Sequence, residues 1–314
     1  MVGAVETPPI LKLEAPDVTR DLDLTVAEVS GLLELAGVLR GQPSRYSKAL
    51  EGRSIALLFE KPSLRTRLTF ELAITQLGGH AVFIEGKVGG REPIKDVARN
   101  LDRWVNGIVA RVFRQNTIEE LAHWSADPVV NALSDLYHPC QSLADVFTLQ
   151  QHFGSLKGLN LAYVGDGNNV AHSLMLTAVR LGVNVSVATP PTYAPAASVV
   201  VEAAALASSS GSRLRVGTNP VEAVSGANAV YTDVWASMGK ESEAADRKMA
   251  FHAYQVNEEL LRQALPDAVF MHCLPAKRGE EVTDAVMESP NSVVFDQAEN
   301  RLHTEKALLL MLLR

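Results

Sequence analysis

Short apolar runs alternate with amphipathic stretches along nearly the whole chain. Runs of strand length fall at 54–59, 81–84, 108–113, 129–133, 159–164, 183–188, 213–216, 229–234, 268–274 and 292–295. Several of the stretches between them carry apolar residues at helical spacing. Phe70, Ala73, Ile74 and Leu77 line one helical face before Gly78-Gly79, a pair suited to stopping a helix. Ile94, Val97, Ala98, Leu101 and Val105 repeat the pattern after Pro93, a good first-turn residue. Strands separated by helices imply parallel sheets with right-handed crossovers. The expected class is α/β, with two doubly wound parallel-sheet domains.

The boundary is expected within 134–157, which starts at a proline turn, continues as a helix through Leu143, Val146, Phe147 and Gln150, and ends at Gly154. A helix joining two sheets would put His138 and Gln141 in the cleft between them, a common place for ligands. The expected division is 1–138, rejoined by a C-terminal helix at 300–314, and 139–299. The aliphatic block ALLLMLLR at the end is far too short to span a bilayer and reads as that helix packed on the body. ASSSGSRL at 207–214 reads as a surface turn, and no internal repeat is found.

Composition narrows the partners. With 314 residues, 47% hydrophobic and 21% charged, the chain is long enough for two cored domains. A net charge of -7 argues against nucleic acid or an anionic membrane as the main partner. Cys140 and Cys273 are the only cysteines, too few for a disulfide framework or a paired-cysteine zinc motif, and a reducing cytoplasm fits best. The first residues carry no secretory apolar core.

Against that acidic balance, FEKPSLRTRLTFE (59–71) sets Arg65 and Arg67 beside Ser63 and Thr66 at a helix start. Helix N-termini favour anions and disfavour added cations. The motif makes sense if a doubly negative group sits on it; its plainer reading is a solvated, arginine-rich helix start. YHPCQ (137–141) holds a histidine in an extended or turn conformation before proline, followed by an amide able to donate and accept. VGDGNNVAHS (164–173) follows a strand but fails the dinucleotide fingerprint at Val170, and no acidic residue ends the next strand, so a nicotinamide cofactor is not expected. Asn168 and Asn169 there suit either a carboxylate or a helix cap. TDVWASMGKE (232–241) places Asp233 at a strand's carboxyl end, where open α/β sheets hold ligands. FMHCLPAKRGEEV (270–282) ends a strand with His272 and Cys273; without further ligands no metal site is expected, and a buried structural cysteine is the default.

In this order and at these intervals, the arginine motif, HPCQ, DVWASMG and HCLPAKRGEEV resemble the aspartate/ornithine carbamoyltransferases, and within them the ornithine-specific branch. The resemblance runs from about residue 20 to the final helix. It implies carbamoyl phosphate as the anion, with Ser63, Leu64 (through its backbone), Arg65 and Thr66 on the phosphate, Arg111 and His138 on the carbonyl oxygen, and Gln141 on the amide. Cys273, Leu274 and Arg301 would complete that site, with a cis Leu274-Pro275 bond. Asn169, Asp233, Ser237 and Met238 match the L-ornithine positions. Arg65, Arg111, His138, Asp233 and Cys273 are the implied catalytic residues. The family also implies catalytic trimers or multiples of them, active sites near subunit interfaces, and no metal or organic cofactor. The chain departs from the family where Leu64 replaces a threonine and where EGKVGGREPIKD replaces a glutamine-led loop, with Lys87 at the glutamine's place; in related transferases that loop reaches a neighbouring subunit's site, so the resemblance implies that Lys87 contributes charge to carbamoyl phosphate there. Rival readings are a sister enzyme for putrescine, N-acetylornithine or aspartate, and a non-catalytic binding protein on the same scaffold. The sequence leaves arginine synthesis and the reverse, catabolic direction equally open.

Overall fold

The computed structural model describes residues 10–236 and 243–314. Its first half runs α1 (Val26–Gly41), β1 (Ser54–Phe59), α2 (Leu64–Gln76), β2 (His80–Glu85), α3 (Ile94–Leu101), β3 (Ile108–Arg111), α4 (Gln115–Trp124) and β4 (Val129–Leu133). These strands form a parallel sheet in the order β2-β1-β3-β4. After Ser54 the run IALLF is apolar and buried at every position because both faces of β1 are covered. Ile55, Leu57 and Phe59 point to the side of α1 and α2, while Ala56 and Leu58 join a second cluster with α3 and α4. The helix α2 stops where expected. Gly78 has φ 88°, and a Cβ there would sit 2.5 Å from the Ser47 carbonyl oxygen. Pro93 is the cap residue before α3 rather than a first-turn residue.

A long helix, α5 (Pro139–Phe153), leads to the second half and ends at Gly154. There follow β5 (Asn160–Val164), α6 (Asn169–Arg180), β6 (Asn184–Ala188), α7 (Ala197–Ser210), β7 (Leu214–Gly217), α8 (Pro220–Val224) and β8 (Ala229–Thr232). Then come α9 (Ala244–Phe251), α10 (Glu258–Leu261), β9 (Val269–His272), α11 (Asp284–Met287) and α12 (Val294–Leu313). The second sheet is also parallel, in the order β7-β6-β5-β8-β9. The order reverses direction beside β5, so the carboxyl ends of β5 and β8 flank a switch point.

Two expectations fail. No strand forms at 292–295: Ser292 makes a single bridge to Phe270, and α12 begins at Val294, six residues before the expected start. The β-branched run SVVF suggests a strand, but Gln297, Asn300 and Arg301 find buried partners only if this segment is already helical. The serines of ASSS belong to the last turn of α7, and the chain turns at Gly211.

The final helix returns to the first sheet. It packs on α1, α2 and α5, and its Ala307, Leu308, Leu309 and Leu310 lie in a core cluster continuous from β1 to β6. α5 and α12 therefore form the seam between the two sheets.

Candidate active site

α2 begins immediately beyond β1. Ser63 caps it, its Oγ accepting from the Thr66 backbone N–H at 3.2 Å. Such a cap leaves the Arg65 and Thr66 side chains on the first turn, where the backbone itself favours negative charge. Arg111 closes β3 at a register shift, since Ala110 pairs with Asn131 but Arg111 with Leu133. Such irregularities re-aim a side chain. Here Arg111 Nη1 donates to Thr66 Oγ1 at 3.4 Å. Arg301 reaches the same hydroxyl from α12, its Nη2 3.1 Å from Thr66 Oγ1 and its Nη1 3.4 Å from Gln141 Oε1.

Three guanidinium groups thus converge on one turn. Burial lowers the pKa of Arg65 and draws that of Arg111 down to about 10, and the Arg301 charge pushes both the same way. All remain protonated at neutral pH. Burial also opposes the Arg301 charge, and Glu305, accepting from its Nε and Nη2 at 3.2 and 2.8 Å, more than offsets it. Among the described residues Glu305 is the one carboxylate paired with any of the three. The cluster keeps a surplus of about two positive charges, matched to a dianion.

His138 is the cap residue of α5, with Pro139 at the first helical position. Its backbone N–H donates to Ser173 Oγ at 2.8 Å, and that hydroxyl donates to the buried Asp21. Burial holds the imidazole well below its ordinary pKa, and Arg301 and Arg111 act in the same direction. The ring is neutral at pH 7, and its buried Nδ1 has no hydrogen-bond partner among the described residues. It can hydrogen-bond an incoming oxygen without adding charge.

The second group of residues forms at the ends of β8 and β9. Asp233 Oδ2 accepts from Asn168 Nδ2 at 2.8 Å; Oδ1 accepts from the Cys273 thiol at 3.0 Å and from the Val234 backbone N–H at 2.8 Å. The same Asn168 caps α6, accepting from Val170 and Ala171 N–H. Burial and the adjacent Asp233 carboxylate raise the thiol pKa well above its usual range, so Cys273 is a protonated donor. Leu274 follows at φ 58°, a region unusual for a branched residue; its N–H donates to His272 Nδ1 at 2.8 Å, and the Leu274-Pro275 bond is cis. Cys273 lies within electrostatic range of Arg65, Arg111 and Arg301, so the two groups adjoin.

Asp233, His272 and Cys273 bring three possible metal-ligand atoms within 4.8 Å of one another. His272 has nothing left to offer a metal. Its Nδ1 accepts from Leu274, which leaves Nε2 to donate to Glu281 Oε1 at 3.2 Å.

Leu64 turns its side chain to solvent, leaving only its backbone for a ligand. Lys87 is exposed two residues beyond β2 and forms no hydrogen bond or ion pair with the residues above among those described. Arg67 faces outward, paired with Glu71 at 2.9 Å and lying 3.6 Å from the Phe83 ring centroid. Asn169 donates to the Ser134 carbonyl at 2.6 Å. Ser237 and Met238 lie outside the described residues. The glycines of VGDGNN have a local cause. A Cβ on Gly167 would come 2.2 Å from Pro195 N, and Gly165 has φ 147°.

Sequence reading missed Asp145, Gln297 and Glu305, which hold Gln141 and Arg301 in place. The signal was present as polar residues four apart on helices (Gln141 and Asp145; Gln297, Arg301 and Glu305), spacing that puts side chains in contact.

The family model described as the aspartate/ornithine carbamoyltransferase carbamoyl-P binding domain matches residues 17–151, and that of the Asp/Orn binding domain matches 157–312. An ornithine carbamoyltransferase of Thermococcus kodakarensis is 48% identical over 97% of this chain and 98% of its own. One from Thermus thermophilus is 52% identical over 91% and 93%. The solved ornithine carbamoyltransferase of Pyrococcus furiosus superposes with a TM-score of 0.93 at 47% identity, covering 97% of this chain and 99% of that one. Motif order, paired sheets and end-to-end likeness agree: the chain belongs to the aspartate/ornithine carbamoyltransferase family.

Proposed function

We propose that this enzyme transfers the carbamoyl group of carbamoyl phosphate to the δ-amine of L-ornithine, giving L-citrulline and phosphate. The observation that carries the reading is a guanidinium cluster with surplus positive charge adjoining a carboxylate–thiol pair with none. The first suits a dianionic phosphate and the second an ammonium. In this reading residues 1–138 with 300–314 hold carbamoyl phosphate and 139–299 hold ornithine. Ser63, the α2 backbone, Arg65 and Thr66 bind the phosphate; Arg111 and His138 bind the carbonyl oxygen; Gln141 and the Cys273–Leu274 segment take the carbamoyl amide. Asp233 orients the amine, with Asn169, Ser237 and Met238 on the rest of ornithine.

The chemistry follows from those placements. Free δ-amine titrates near ~10, so the ammonium must first release one proton to solvent, and the neutral amine attacks. Its nitrogen lone pair then forms a bond to the carbonyl carbon. The oxyanion that develops is stabilised by Arg111, Arg301 and the neutral His138 ring. Collapse breaks the carbon–oxygen bond to phosphate, which leaves against Arg65 and takes up the second proton, the one the attacking nitrogen sheds once its bond to carbon has formed. No group outside the two substrates and the chain is called for. Holding both reactants in register supplies part of the roughly 7–11 kcal/mol available from proximity.

Citrulline formation, run beside putrescine, N-acetylornithine and aspartate, tests the assignment. Ornithine is expected to be preferred at least ~30-fold in kcat/KM over putrescine and N-acetylornithine, which lack its carboxylate or its charged α-amine and so forfeit charged contacts of about 2–5 kcal/mol, and over aspartate, which has no δ-amine. Preference for another amine would retain the transfer chemistry and overturn the substrate; absence of turnover with all four would favour a binding protein. The reaction serves arginine synthesis or, in reverse, arginine breakdown.

We further propose a homotrimer, or a multiple of one, working in the cytoplasm. No helix among the described residues is long and apolar enough to cross a membrane. Leu64, Leu68 and Leu72 form an exposed stripe on α2 (76, 48 and 39% exposed), beside the edge strand β2 with its exposed Val82 and Ile84. Apolar stripes next to unpaired strand edges are characteristic of covered surfaces. Lys87 lies just beyond that edge, in position to reach a neighbouring copy. Leu68→Glu is expected to shift the mass in sedimentation from trimer to monomer; an unchanged mass would place the interface elsewhere.

A further inference from the structure

Asp145 lies one helical turn after Gln141 on α5 and is wholly buried. One of its oxygens, Oδ1, accepts from two side-chain amides: Gln141 Nε2 at 2.8 Å and Gln297 Nε2 at 2.7 Å. An amide that donates on one side presents its oxygen on the other. Gln141 therefore turns Oε1 toward Arg301 Nη1, and Gln297 turns Oε1 to the backbone N–H of His272 at 2.9 Å. The next residue is Cys273, whose thiol donates to Asp233.

A single carboxylate oxygen thus decides which way two amides face. With Gln141 reversed, its NH2 would meet the Arg301 guanidinium and the NH2 of a carbamoyl group, donor against donor on both sides. With Gln297 reversed, the end of β9 would lose its acceptor.

We propose that Asp145 is a positioning residue for carbamoyl transfer: it fixes the Gln141 amide with its oxygen toward the carbamoyl NH2 and, through Gln297, ties that amide to the end of β9 that carries Cys273. The proposal rests on the role of Gln141 given above. Burial raises the Asp145 carboxyl to about 7, and Oδ1 accepts whether or not the other oxygen carries a proton. An asparagine carbonyl can take the same place.

The test compares Asp145→Asn, Asp145→Ala, Gln141→Ala and the Asp145→Ala/Gln141→Ala double variant in the full-length enzyme. Carbamoyl phosphate affinity is measured by calorimetry, and turnover with whichever amine the wild-type enzyme carbamoylates. Wild-type preference among amines tests the functional reading separately, since it involves no variant. Asp145→Ala and Gln141→Ala are each expected to weaken carbamoyl phosphate binding roughly 10–100-fold, and the double variant no more than Gln141→Ala alone, because the first acts through the second. Asp145→Asn is expected to stay within about threefold of wild type with an unchanged pH profile. Multiplying losses in the double variant, or an asparagine variant as poor as alanine, would overturn the proposal. A pH limb that disappears in Asp145→Asn would make the residue a proton carrier and overturn it too. Should Asp145→Ala fail to fold, Asp145→Asn and Gln297→Met decide. Gln297→Met is expected to raise the KM for the amine about tenfold while carbamoyl phosphate affinity moves less than about twofold. The opposite split would refute the tie to β9.

Discussion

Replacing Arg65 with alanine is expected to raise the carbamoyl phosphate dissociation constant roughly 10²–10³-fold while leaving the melting temperature unchanged or slightly higher. The two halves of that expectation come from one fact. Among the described residues no carboxylate pairs with Arg65, and its pKa is lowered by burial and by the facing Arg301 charge. A charge held without an anion contributes nothing to folding and repels its neighbours, so its loss relieves the resting protein. With a phosphate in place the same group makes short, charge-assisted hydrogen bonds, and removing one partner of such a pair costs about 2–5 kcal/mol. Calorimetric titration beside thermal unfolding reads both effects. Unimpaired binding in Arg65→Ala would remove the basis of the phosphate assignment, whereas a large fall in melting temperature would make Arg65 a structural residue.

The second large effect is expected at Asp233. Its carboxylate takes hydrogen bonds from Asn168, Cys273 and Val234 and no ion pair among the described residues, so its polar needs are met while its charge is not. An ammonium would supply the missing countercharge. Asp233→Asn keeps the shape but removes the charge, and at one side it sets an NH2 against the NH2 of Asn168. Asn168 cannot turn over to accommodate it, because its oxygen already caps α6. The loss is expected at about 10²–10³-fold in kcat/KM for ornithine, with carbamoyl phosphate affinity preserved. Cys273→Ser should do less, since a hydroxyl still donates to the carboxylate. Equal losses for both substrates in Asp233→Asn would show a collapsed site rather than a missing amine contact.

Much of this is legible in the sequence, for a local reason. A parallel strand covered on both faces is apolar along its interior, so β1, β3 and β5 stand out as apolar runs broken only at their ends, by Ser54, Arg111 and Asn160. The arginine motif is a sequence neighbourhood, with Ser63, Arg65 and Thr66 inside one helical turn. What stayed hidden depends on distant partners. Gln297 and Glu305 look like ordinary surface residues of a helix until α5 and α2 are laid against them. The run at 292–295 looks like a strand because β-branched side chains suit one, yet polar residues further along require a helix there. The glycines of VGDGNN look like a phosphate loop, but Gly167 is needed because the backbone at Ala194 and Pro195 passes over it.

The return of α12 to the first sheet has a consequence for how the protein is made. Thr66 and the Arg301 that binds it are 235 residues apart in the chain. At roughly 5–20 residues per second, a ribosome needs on the order of 10–50 s to pass from one to the other. For most of that interval α1, β1 and α2 are already made, but the apolar helix that covers them is not. The nascent amino-terminal half must therefore wait with part of its core uncovered, which makes this stretch the place where holdase chaperones would act. The anion site comes into being only once α12 has joined the body, so a nascent chain short of that helix has no complete carbamoyl phosphate site to fill.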